Sequence, residues 1–111
     1  MIIAIPVDAE GQVAHGWGRA PRVAVETAAD GAITDWQVHD VGWDVAHDEG
    51  TEGSHHARIA RFLIDNAIET VVAEHMGDGM VRMLGTMKLP VVLGAAGDAR
   101  ASVLAAVQHT T

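Results

Sequence analysis

The chain has 111 residues, 49% of them apolar, a formal charge of −8 and no cysteine. This length supports a single domain, residues 1–111, and the acidic balance argues against nonspecific binding to nucleic acid or to an anionic membrane surface. Without cysteine there are no disulfides, thiolate zinc sites or cysteine-ligated iron–sulfur clusters, so metal chemistry would fall to the seven histidines, carboxylates, Met or backbone groups.

No apolar run approaches the ~20 residues of a membrane span. The opening Met-Ile-Ile-Ala-Ile-Pro lacks a basic signal-peptide region, so a cytoplasmic location is expected. Residues 2–7 read as a buried strand, with Pro6 suited to its end. Asp8 to Gly18 is a glycine-rich loop containing His15, and Arg19-Ala-Pro21 follows. Val23, Val25 and Thr27 alternate as the inward side of a second strand. Ala29-Asp30-Gly31 signals a hairpin into a third strand holding Ile33, Trp36 and Val38, whose phase is ambiguous.

His39 to Gly53 is the longest irregular stretch and carries five acidic residues, which suits a solvated loop or a lid. Ser54 can cap a helix to about Ala67, with Ala57, Ala60, Leu63, Ile64 and Ala67 as its apolar stripe. In that phase His56 lies on the apolar side and His55 on the flank, both in the first turn. Val71 to Ala73 form a buried strand that stops at Glu74 and His75. Met76-Gly77-Asp78-Gly79 then turns into a helix from Gly79 to Thr86, with Met83 and Met87 among its core residues. Pro90 to Leu93 form a last strand, and Gly94 to Gly97 a last turn. Asp98 caps a helix to about Val107, and a frayed tail is expected from His109.

The order β-β-β-α-β-α-β-α implies a mixed sheet with helices on both faces, because the later β-α-β links require parallel strands and right-handed crossovers. Ligands of such sheets sit beyond the carboxyl ends of the parallel strands, where helix N-termini offer free N–H groups. His15, Arg19, Glu74, His75 and Met76 belong there, and a usual crossover brings His55 and His56 to the same edge. Imidazoles, a guanidinium and turn amides suit an anion; imidazoles equally suit a transition metal. Each residue also has an ordinary reading. His75 could bond a backbone carbonyl, His15 could be solvated, Arg19 could pair with a loop carboxylate, and Glu74 could orient a neighbour. His39, His47 and His109 read as surface residues. No phosphate-binding loop or dinucleotide fingerprint is present.

Four stretches resemble a known family: Ile2-Ile-Ala-Ile-Pro-Val-Asp8, Trp17-Gly-Arg-Ala-Pro21, Val71-Val-Ala-Glu-His-Met-Gly-Asp-Gly-Met80, and Pro90-Val-Val-Leu-Gly-Ala-Ala-Gly97. In order and spacing they are similar to the dinitrogenase iron-molybdenum cofactor biosynthesis family, which includes nitrogenase accessory factors and the orange-type proteins. The resemblance implies a ribonuclease H-like three-layer α/β/α fold with a five-stranded mixed sheet. It also implies binding or carriage of a molybdenum- or iron-containing cluster rather than catalysis. The chain departs from the family at Gly16, where many members have histidine, and at Asp78, where proline is common.

The expectation is therefore a metallocluster or metal carrier, with cofactor-biosynthesis proteins as partners and a monomeric or homodimeric state. Cofactor contacts would come from His15, Arg19, Met76, Gly77, Asp78 and Gly79, and metal contacts from His55, His56, His75 and Glu74. The rival readings are a metal-dependent hydrolase with Glu74 as base and a protein-interaction domain.

Overall fold

The computed structural model describes residues 1–110, and their side chains through Gln108. Its elements are β1 (Ile2–Val7), β2 (Arg22–Ala29), β3 (Ala32–Asp40), α1 (Trp43–Ala46), α2 (Glu52–Asp65), β4 (Thr70–Val72), α3 (Asp78–Thr86), β5 (Val91–Val92) and α4 (Ala99–Thr110). The five strands form one sheet in the order β3-β2-β1-β4-β5. β1 pairs antiparallel with β2 and parallel with β4; β2 with β3 is antiparallel, and β4 with β5 parallel. The predicted mixed α/β sheet is thus observed.

β1 is central and covered on both faces, which is why it reads as an unbroken apolar run. Ala4, Val23 and Val71 face one core, shared with Ile59 and Leu63 of α2 and Met80 and Leu84 of α3. Ile3, Ile5, Ala24 and Val72 face the other, closed by Ala99, Val103 and Ala106 of α4. No described helix is long and apolar enough to cross a membrane.

The β2–β3 hairpin turns at Asp30 and Gly31, with φ of 55° and 78°. Two consecutive positive φ values match the right-handed twist of the flanking strands. The register then slips at Thr27/Ala28, so that Thr27 faces Asp35 while Ala28 faces Ile33. This bulge at Thr34 puts Ile33 and Trp36 against the same core although they are three residues apart. The ambiguous phase of β3 is that extra residue.

Five expectations change. The stretch from His39 to Gly53 contains the end of β3, a short helix α1 with a buried Trp43, and the start of α2. α2 is capped by Thr51, not Ser54: Ser54 N–H donates to Thr51 Oγ1 at 3.1 Å, and Thr51 N–H donates to Ser54 Oγ at 3.0 Å. These reciprocal bonds satisfy two otherwise free backbone donors. α2 also buries His55, Ile59 and Leu63, while Ile64 is 66% exposed. The bulky stripe hides more apolar area than the alanine stripe read from the sequence, so His55 and His56 exchange roles. Met83 and Met87 lie at the margin of the core rather than inside it. α4 continues to Thr110 where a frayed tail is expected from His109, and Thr111 lies outside the described residues.

α2 and α3 end alike. Ile68 N–H bonds Leu63 O and Ala67 N–H bonds Ile64 O; Leu89 N–H bonds Leu84 O and Lys88 N–H bonds Gly85 O. Ala67 and Lys88 hold the left-handed position of these caps, at φ 53° and 61°.

Glu26 is fully buried, opposite Ile3 and Trp36 and on the same strand face as Ala24 and Ala28. Neither carboxyl oxygen has a hydrogen-bond partner among the described residues. Burial pushes its pKa up from 4.5 to about 9, with the Arg100 charge pulling the other way. Arg100 rests over the Trp36 ring, 4.4 Å from its centroid.

Candidate functional site

Two adjoining clefts open beyond the carboxyl ends of β1 and β4. One, of about 490 Å³, is lined by His55, His56 and Glu52 of α2 and by Gly77 to Met80 at the start of α3. The other, of about 500 Å³, is lined by the loop from Ala14 to Pro21 and by His75, Met76 and Gly77. Gly18, His47 and Gly77 border both.

Trp17, in the wall of the second cleft, belongs to an aromatic cluster. Trp17 meets Trp43 edge-on at 5.1 Å, Trp43 meets Phe62 at 5.5 Å, and Phe62 meets His39 at 5.5 Å. The cleft loop, α1 and α2 are thereby pinned together by three of the chain's four Trp and Phe residues, where edge-to-face packing adds to area burial. Trp17 is 1% exposed, lines the second cleft, and its Nε1–H has no partner. An unpaired buried donor costs free energy that a ligand acceptor would offset.

His55 is engaged at both ring nitrogens. Arg58 Nη1 donates to Nδ1 at 2.8 Å, and Nε2 lies 2.7 Å from Gly18 O. A guanidinium can only donate, so Nδ1 accepts and Nε2 carries the proton bound to Gly18 O. Arg58 also reaches Ala46 O at 3.4 Å, tying α1 to the same group. His55 therefore fixes the cleft loop against α2, and coordination of a metal would break one of these bonds.

α3 begins at Gly77 with no side-chain cap. Its first N–H groups and the positive end of its dipole face the first cleft. His56 closes over this end: a Cβ on Gly79 would come within 3.2 Å of His56 Cε1 and 3.7 Å of Glu52 Oε1. His56 Nε2 lies 3.8 Å from Glu52 Oε1.

The predicted site residues divide. His55, His56, Asp78 and Gly79 line the first cleft, His15, Arg19, His75 and Met76 the second, and Gly77 both. Arg19 is exposed and pairs with no carboxylate among the described residues. Glu74 lines neither cleft and pairs with His15, Nδ1 to Oε1 3.0 Å. Among the described residues no three His, Asp or Glu groups are placed to hold one metal ion. His47, read from the sequence as a surface residue, instead lines both clefts. Its signal was the spacing from Trp43: one helical turn behind a buried tryptophan.

The family model described as dinitrogenase iron-molybdenum cofactor matches residues 1–110, and the chain belongs to that family. No curated protein sequence matches it. Among solved structures it is similar to the crystal structure of PH0822, at 17% identity and TM-score 0.78, over 98% of this chain and 90% of that one. It is also similar to a Methanocaldococcus jannaschii protein provisionally named a dinitrogenase, at 10% identity and TM-score 0.71, over 98% and 89%. A third is the NMR structure of a Thermotoga protein provisionally named NifB, at 17% identity and TM-score 0.69, over 96% and 87%. At these identities the structures show the fold alone.

Proposed function

We propose that this member of the dinitrogenase iron-molybdenum cofactor family binds and carries an anionic molybdenum- or iron-containing cluster, without catalysing a reaction on it. The cluster is cargo, delivered between cofactor-biosynthesis proteins. One observation carries the reading. On a chain of charge −8, no Asp or Glu lines the second cleft, which gathers the unpaired Arg19, His15, His75, Trp17 and the Gly77 start of the uncapped α3, while Glu52 and Asp78 line the first. Local donors and positive charge on an acidic protein favour an anion at that place and repel it elsewhere.

The donor set suits a whole anion better than a bare ion. Amides, an indole N–H and a guanidinium hold the outer atoms of a cluster, and His75 offers imidazole at the same cleft. His56 would cover the anion at the α3 end, with His15 at the rim. Glu74 lies outside both clefts, which supports binding over hydrolysis with that residue as base.

Titration of the untagged chain with tetrathiomolybdate, followed by its charge-transfer absorption, tests this. Saturable binding that falls at high salt and weakens in Arg19→Gln is expected, since removing a paired charge costs about tenfold or more. No binding, or equal binding by wild type and an Arg19→Gln/His75→Gln double variant, would refute it.

A further inference from the structure

We infer that His47 contacts the bound anion directly, presenting Nε2 at the point where the two clefts meet, so that one ligand spans both. The inference rests on the cluster-carrier reading and assigns it a residue outside the motifs of the family resemblance.

His47 borders both clefts, whereas His75 borders only one. Its ring is held without being saturated. The backbone N–H of His47 bonds Trp43 O at 2.9 Å, and Trp43 is buried in the aromatic cluster with Trp17 and Phe62. The ring meets His55 edge-on at 5.1 Å, and His55 is itself fixed at both nitrogens. Nδ1 is buried, makes no hydrogen bond, and has Asp48 Oδ1 at 3.5 Å. Nε2 makes no hydrogen bond among the described residues, and it is not one of the buried unpartnered atoms.

The outer atoms of a thiometallate anion are sulfides, which accept hydrogen bonds, so Nε2 would meet the ligand as an N–H donor. Of the other imidazoles near the clefts, His15 pairs with Glu74 and His55 is engaged at both nitrogens. His75 has no partner among the described residues but lines the second cleft alone, so His47 is the histidine that is both open at Nε2 and placed between the two clefts. Each cleft is about 500 Å³, and a ring standing between them can touch a ligand lying in both.

The test uses the full chain, tetrathiomolybdate as probe, and histidine labelled with ¹⁵N in the rings. The His47 Nε2 resonance is expected to shift as probe is added. His47→Gln is expected to weaken binding about tenfold or more, the scale of one lost ligand contact. Gln37→Ala, which changes an exposed neutral residue outside both clefts, is expected to bind as wild type does. If wild type saturates and Arg19→Gln weakens it, but His47→Gln binds equally and the His47 resonances stay still, the inference fails while the carrier reading stands. If wild type does not bind, both fail. Should His47→Gln not fold, the ring resonances of the wild type decide alone.

Discussion

Replacing Glu26 with glutamine should make the protein more stable, and increasingly so as pH rises. The folded carboxyl titrates at about 9 and the unfolded one at 4.5. Between these values the folded state holds a proton that the unfolded state has released. The stability of the wild type is therefore greatest below 4.5, declines across the window, and levels off above about 9. The slope is about 1.4 kcal/mol per pH unit, so by neutral pH the accumulated loss is roughly 3 kcal/mol, an upper figure because any relaxation around the carboxylate reduces it. Glutamine keeps the shape, has no proton to lose, and removes that slope. Urea unfolding monitored by tryptophan fluorescence at pH 5, 6, 7 and 8 would measure both proteins. The expected result is near-equal stability at pH 5 and a gap that widens to pH 8. Parallel profiles would show that Glu26 is not held neutral and that its burial is relieved in solution.

Ala67→Gly and Lys88→Gly should each raise the melting temperature slightly, because glycine relieves a left-handed residue at about 1 kcal/mol while losing part of that to chain entropy; a fall on thermal denaturation would contradict the cap geometry. Gly79→Ala should leave folding nearly unchanged, because the atoms it meets are side-chain ends, but should push His56 away from the start of α3 and weaken tetrathiomolybdate binding; unchanged affinity would remove His56 from the site.

Much of the fold was legible because its signals were local. The apolar run of β1, the Asp30-Gly31 turn and Asp98 at the head of α4 act through neighbours in sequence; Asp98 Oδ2 does accept from Ala101 N–H at 2.9 Å. The illegible parts depend on what lies across the sheet. Val23 and Val25 suggested a strand with one buried side, yet α4 covers the other side as well, and Glu26 is buried with it. The bulge at Thr34 has no marker in composition. His55 and His56 differ by one residue, and only the bulk of Ile59 and Leu63 decides which faces inward. The candidate site was legible as a place, since the turns after β1 and β4 do form its walls. Its internal roles were not, because Gly18 O, Arg58 and Trp43 act on it from elements distant in sequence.

The loop that walls the second cleft is fastened at its far end to the opposite end of the chain. Val13 N–H bonds Gly97 O at 2.8 Å, Ala99 N–H bonds Gly11 O at 3.0 Å, and Gln12 bridges Asp98. Nearly ninety residues separate the partners of these contacts, so their formation closes one of the largest loops available to the chain. Such closures are entropically late events in folding. During synthesis the loop can be fastened only after residues 97–99 have left the ribosome. A nascent chain that has already made Trp17 and Trp43 would still lack a braced cleft wall until the start of α4 has emerged.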